Sequence, residues 1–311
     1  MHEQKEHEAP DLGARADQLS RELRNFEEIA RYLVPLAGEV PRLRGVDVWG
    51  GTLPLNGTIG GDHIIYVDFK RRFDLDARMA QTLELGRTDI AENLERCRHK
   101  AGLVLIDVAG HRVTDGLLAA MLHQALLTGA LYELDISGQV TRRLFENLNT
   151  RFYQSSGANK LISMIYGEIS EDARFRFLSA AHPFPVVFSQ RHDRFMEIDP
   201  QACLSFPPLG LVPSLDAIDR HTTGTSSLGF KERYEINEWQ LMGAGDILLM
   251  HSDGLSDHRG PAGAYFPDRL EQRMRGVKHL GARAIYEAVR DDLLAFGPPS
   301  DDISLVVIKL A

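Results

Sequence analysis

Four aspartates lie at the ends of strand-like apolar runs that are far apart in the sequence: Asp62, Asp107, Asp253 and Asp301. Asp62 closes Gly60-Gly61-Asp62 just before Ile64-Ile65-Tyr66-Val67, and Asp107 ends the run Leu103-Val104-Leu105-Ile106. Asp253 follows Ile247 to Ser252, and Asp301 opens the last run, Ile303 to Ile308. Short aliphatic and β-branched runs bounded by glycine or polar residues read as strands. Carboxylates gathered at one edge of a sheet repel one another unless cations neutralise them. Ligands that are all oxygen favour hard ions, so Mg²⁺ or Mn²⁺ is expected before zinc. Taken singly, each aspartate also reads as a turn residue, since Asp beside Gly is ordinary turn chemistry.

The elements that would position these residues belong to an ordinary soluble chain of 311 residues, 25% charged, long enough for one large domain or two modest ones. A net charge of −9 argues against a nucleic-acid surface, which needs clustered Lys and Arg. Protein or small-molecule substrates are expected instead. The two cysteines, Cys97 and Cys203, stand in no ligand-spaced pattern and read as free thiols in a reducing compartment. The first residues lack the apolar core of a signal peptide, and no later apolar run is expected to reach the roughly 20 residues that span a bilayer, so the expected location is cytoplasmic.

Residues 1 to about 12 read as a disordered tail, followed by an amphipathic helix from Ala16 to Val34 that carries Leu19, Leu23, Phe26, Ile29 and Leu33 and ends at Pro35. Its apolar face needs a partner, either the following domain or a second copy of the chain. Residues 1–44 are therefore expected to be a tail with a regulatory or dimerisation helix, and residues 45–311 the main domain. Residues 76–100, dense in Arg and Glu, read as an inserted, mostly exposed helical segment broken near Gly86. Helices are expected after Thr114, from Thr141 to Tyr153, from Pro267 to Arg275 and from Ala282 to Phe296. Strands are expected at Ile162 to Ile169, Ala173 to Ala180 and Pro185 to Ser189. Adjacent strands on short turns, with helices grouped in pairs, point to antiparallel sheets covered by helices.

In order along the chain, Gly60-Gly61-Asp62, Asp107-Val108-Ala109-Gly110-His111, Ala180-Ala181-His182-Pro183, Pro208-Leu209-Gly210-Leu211, Ser252-Asp253-Gly254 and Asp301-Asp302-Ile303-Ser304 resemble the motifs of the metal-dependent serine/threonine protein phosphatases. The nearest branch is the bacterial SpoIIE-like, RsbU-like one, and the match runs from about residue 20 to the C-terminus. The GGD triplet also occurs in diguanylate cyclases, whose further signature is not found here. The resemblance implies an α+β fold, a β-sandwich of two antiparallel sheets flanked by helix pairs, with two Mn²⁺ or Mg²⁺ ions at one end. It implies that Asp62, Asp107, Asp253 and Asp301 are metal ligands, with Asp107 bridging both ions, the Val108 carbonyl adding an oxygen and Asp302 supporting the site. It also implies hydrolysis of phosphoserine or phosphothreonine on a regulatory protein, in this branch a STAS-type anti-sigma-factor antagonist, and an N-terminal helix through which a regulator or a second copy acts. The residue types suit this chemistry, because two cations activate water and neutralise the phosphoryl oxygens without a side-chain nucleophile.

The chain departs from the branch pattern at Arg112, which follows the second-motif histidine where glycine is usual, at Ala181 in place of the glycine before His182, and at His251-Ser252 in place of Tyr-Thr. Arg112 reads equally as a phosphate contact or as a salt-bridged surface residue. His111 is a candidate proton donor to the leaving oxygen, and His182 reads as a structural histidine. The 76–100 segment is expected close to the site, since it lies between two aspartate-bearing strands. Two further functions stay open: a hydrolase of a small phosphoester, and a pseudophosphatase that binds a partner without chemistry.

Overall fold

The computed structural model of the protein describes residues 12–32, 39–55, 60–110, 113–155, 160–199, 203–215, 226–240 and 243–311. The tail expected over residues 1 to about 12 lies outside these residues except for Leu12.

The first half of the chain runs α1 (Leu12–Arg31), β1 (Val46–Leu53), β2 (His63–Asp68), α2 (Phe69–Arg72), α3 (Leu75–Glu84), α4 (Thr88–Cys97), β3 (Lys100–Val108), α5 (Val113–Ser137) and α6 (Arg142–Ser155). The second half runs β4 (Ile162–Ser170), β5 (Phe175–Ala180), β6 (Val186–Ser189), β7 (Arg194–Phe195), β8 (Ser205–Phe206), β9 (Asn237–Trp239), β10 (Ile247–His251), α7 (Asp253–Ser256), β11 (Arg259–Gly260), β12 (Gly263–Ala264), α8 (Asp268–Val277), α9 (Ala282–Phe296) and β13 (Ile303–Leu310). One sheet has the order β2-β3-β4-β5-β8, with β9 also paired to β5. The other has the order β1-β13-β10-β6-β7, and β11 and β12 form a small separate ribbon. Pairing is antiparallel except for the short β5–β8 contact.

Strand periodicity explains the layering. Along β3, Leu103 and Leu105 face the other sheet, where Val48, Leu248, Met250 and Val306 meet them. Val104 and Ile106 alternate outward into a second cluster with Leu94 of α4, Leu122 and Leu126 of α5 and Phe145 of α6. Both faces of β3 are covered, so it reads as a continuous apolar run. On the far side, Leu249, Leu305 and Val307 pack on Met274 of α8 and Ile285 and Val289 of α9. The result is the expected sandwich, helices over sheet over sheet over helices.

Two features depart from the sequence reading. First, α5 is long and apolar enough by length and composition to cross a membrane, a run that the pattern along the sequence did not reveal. It packs here on β3 and α6, with Ala119, Leu122, Leu126, Ala130 and Leu134 buried. The inserted segment is mostly exposed, as expected, with α4 burying Ile90, Ala91, Leu94 and Cys97 along one face and a break at Gly86, where φ is +71°. Second, the insertion does not approach the aspartates. Asp62 precedes β2 and Asp107 lies near the end of its antiparallel partner β3, so both stand at one end of that hairpin and residues 69–99 connect the other end. Six strand residues separate the ends by about 20 Å. There α4 holds the C-terminal end of α5, with Asn93 Nδ2 donating to Ser137 O at 3.0 Å and Cys97 Sγ to Gly138 O at 3.3 Å.

The helix α1 touches α5 but leaves Leu19 66%, Leu23 45% and Ile29 67% exposed. The side chains of Phe26 and Leu33 lie outside the described residues.

Candidate active site

Each candidate aspartate stands at the junction of a strand with a turn, and all four junctions fall at the same end of the sandwich. Asp62 is buried, and its Oδ2 accepts from Ser252 Oγ at 2.6 Å. The same hydroxyl accepts from Ser304 N at 2.9 Å, while Ser304 Oγ lies 2.7 Å from Thr52 Oγ1. A ladder of small hydroxyls thus links β1, β13 and β10 beneath Asp62. Asp107 is half-buried in β3, opposite Ser163 of β4, whose hydroxyl is hydrogen-bonded to it. Ser163 Oγ lies 2.8 Å from Nδ1 of the buried His182. Asp253 begins α7 and Asp301 precedes β13, both exposed to solvent, and Asp301 Oδ1 accepts from Asp302 N at 2.8 Å.

Asp302 is 2% exposed, and its carboxylate serves the backbone. Oδ1 accepts from Leu55 N at 2.6 Å and Oδ2 from Gly61 N at 2.7 Å. A Cβ on Gly60 would fall onto that carboxylate, so the first glycine of the GGD triplet is required by close approach. A Cβ on Gly61 would likewise strike the carbonyl oxygens of Val108 and Gly110, which converge on this turn.

The electrostatics join these residues into one centre. Burial raises the Asp62 carboxyl well above the usual range, the Asp107 charge adds to it and the Ser252 hydrogen bond opposes it. Asp107 is pushed up to about 7, first by burial and then by Asp253, Asp301 and Asp302. Asp253, although it reaches solvent, is raised by partial desolvation and by Asp301. Carboxylates that raise one another in this way favour either a proton or a cation between them. The donors are carboxylate and carbonyl oxygens, a set that fits a hard divalent ion such as Mg²⁺ or Mn²⁺. Among the described residues, no three His, Cys, Asp or Glu side chains are drawn together closely enough to hold an ion by themselves. His111 and Arg112 lie outside the described residues.

The sequence profile described as Stage II sporulation protein E (SpoIIE) matches residues 98–311, more than half of the chain. The chain belongs to the SpoIIE family. No curated protein matches it. Among solved structures, the SiaA-PP2C domain of Pseudomonas aeruginosa superposes with a TM-score of 0.61 at 13% identity, covering 97% of this chain and 100% of that one. The RsbU and RsbW domains of a Mycobacterium tuberculosis protein superpose with a TM-score of 0.59 at 17% identity, covering 89% of this chain. The PP2C phosphatase domain of Bacillus subtilis SpoIIE, with a fragment of its regulatory domain, gives 0.57 at 16% identity over 85% of this chain. The chain spans 64% of the mycobacterial chain and 63% of the Bacillus one. At such identities the likeness carries the fold, and this SpoIIE-family chain has the PP2C phosphatase fold.

The hydroxyls of Ser163, Ser252 and Ser304 were missed as site residues by sequence reasoning. Ser252 sits within the quoted Ser-Asp-Gly motif, so the signal was present. Ser163 is visible only through register, because it is the β4 residue paired with Asp107.

Proposed function

We propose that this chain is a Mn²⁺- or Mg²⁺-dependent phosphoprotein phosphatase that acts on phosphoserine or phosphothreonine. The observation that carries the reading is the meeting of Asp62, Asp107, Asp253 and Asp301 from four separate strand ends in one electrostatically coupled centre. The ions, when bound, would supply an activated water and neutralise the phosphoryl oxygens. Asp62, Asp107, Asp253, Asp301 and the Val108 carbonyl would hold them. Asp302 and Ser252 keep this scaffold in place, Asp302 by fixing the GGD turn and Ser252 by orienting the Asp62 carboxylate. His111 is the candidate donor to the leaving oxygen and Arg112 a candidate phosphate contact, from their places beside the Asp107 turn in the sequence.

A STAS-type antagonist is the substrate we favour, because one relative of the same fold carries an RsbU domain together with an RsbW domain in one chain. The apolar residues that α1 leaves exposed support control through a second copy of the chain or a regulator, within the cytoplasm. A second reading, a partner-binding module without turnover, is favoured by the departures from the branch pattern at Arg112 and Ala181. The experiment that separates these readings is phosphate release from phosphoserine peptides and from small phosphoesters with Mn²⁺ present. Turnover of the peptides above the small esters is expected. Turnover of small esters alone would move the activity to small substrates, and metal-independent silence on both would favour the binding module.

A further inference from the structure

We propose that the ion pair of Lys160 and Asp115 is a clamp that holds the turn after Asp107 in position for metal binding, so that both are positioning residues of this centre. The metal rests on the phosphatase reading above, and the clamp rests on the geometry. The β3–β4 register ends at Val108 opposite Ile162, and Ala109 N then donates to Leu161 O at 2.9 Å. The next residue outward on that side is Lys160. Its Nζ donates to Ala109 O at 2.9 Å and stands 2.7 Å from Asp115 Oδ1. Three elements therefore meet at one ammonium group: the end of β3, the approach to β4 and the first turn of α5.

Burial gives the contact its weight. The Asp115 side chain is 1% exposed and that of Lys160 36%. An acidic residue in the first turn of a helix is favoured by the helix dipole, but a buried carboxylate still requires a cation beside it. The 2.7 Å contact to Oδ1 pairs opposite charges, while the bond to Ala109 O adds direction. Gly110, with φ +114°, rests directly on the pair: a Cβ there would come within 2.6 Å of Asp115 Oδ2 and 2.9 Å of Lys160 Nζ. The opposite side of the same turn faces Gly61, where the Val108 and Gly110 carbonyl oxygens converge. The turn that carries the Asp107 carboxylate and the Val108 carbonyl is thus held between the GGD turn and the clamp. Releasing the clamp frees both donors to swing away from an ion.

Partners one layer out from metal ligands change metal affinity by roughly 10- to 100-fold when removed. The test is calorimetric titration of the full chain with Mn²⁺, with a thermal melt of each variant in chelator. Lys160→Met and Asp115→Asn are expected to weaken Mn²⁺ binding about 10-fold or more, and Lys160→Arg, which keeps the charge, less than about threefold. The double variant Lys160→Met/Asp115→Asn carries no unpaired buried charge. It is expected to regain the melting temperature lost by Lys160→Met but not the Mn²⁺ affinity, and it carries the test if that single variant fails to fold. Mn²⁺ affinity of Lys160→Met within twofold of wild type, or a double variant that regains affinity together with stability, would overturn the clamp alone. Absence of Mn²⁺ binding by the wild-type chain would overturn the phosphatase reading on which it rests.

Discussion

At the scale of single residues, the departures from the family pattern have physical consequences. Ala181 stands where the branch has glycine, and its φ is +54°, a left-handed conformation that strains any residue with a Cβ. The following His182 is fixed by its neighbours, its N donating to Ser179 Oγ at 3.2 Å and its O accepting from the same hydroxyl at 2.9 Å, so the strain has no easy release. Ala181→Gly should therefore raise stability by about 1 kcal/mol, read as a later urea midpoint. An unchanged or earlier midpoint would contradict this. The aspartates and glycines of the motifs were legible because their types are rare at strand ends and their order is specific. The hydroxyls beneath them were less so, since serine is common in turns and only register shows which serine meets which carboxylate. The Lys160–Asp115 pair was illegible for the same reason: 45 positions separate two ordinary charged residues, and no local pattern joins them.

At the scale of elements, long periodic segments were readable and position in space was not. The sequence spacing placed α9 at Ala282–Phe296 and the β4 and β5 strands within a residue or two of where they lie. β1 was not read as a strand, because Gly50 and Gly51 interrupt its alternation. Those glycines are required by neighbours: a Cβ on Gly50 would stand 2.9 Å from Tyr66 Oη, and one on Gly51 2.5 Å from Tyr286 Oη. The inserted helices were expected near the site because they lie between Asp62 and Asp107 in sequence. An antiparallel hairpin with both aspartates at one end must put its connection at the other, and this topological step was the one missing. Leu94 of α4 is fully buried, so Leu94→Ala should cost about 3 kcal/mol of stability while Mn²⁺ affinity stays within twofold, measured by denaturation and titration. Lost affinity at unchanged stability would tie the insertion to the site after all.

At the scale of the whole molecule, the fold carries buried histidines that make it sensitive to acid. Burial lowers His182 and His63 from 6.5 to about 3 and His123 to about 4, with a neighbouring charge adding to each: His251, His123 and Arg72 respectively. Each stays neutral in the folded chain while its unfolded counterpart takes up a proton near 6.5. The stability associated with each is present above pH 6.5 and is lost as pH falls from there toward the folded value, about 2 kcal/mol apiece by pH 5. The raised carboxyls of the metal-free centre act in the opposite sense, so one histidine is best isolated by substitution. His182→Gln should lose less stability than wild type between pH 7 and pH 5, and an equal loss in both proteins would contradict the assignment. The central claim concerns the centre to which both sheets contribute. Its most direct test is hydrolysis of p-nitrophenyl phosphate by the wild-type chain and by Asp107→Asn, with Mn²⁺ and with chelator. The account predicts turnover with Mn²⁺ that chelator abolishes and that Asp107→Asn lowers by at least about 100-fold; turnover that survives chelator or the loss of the Asp107 carboxylate would contradict it.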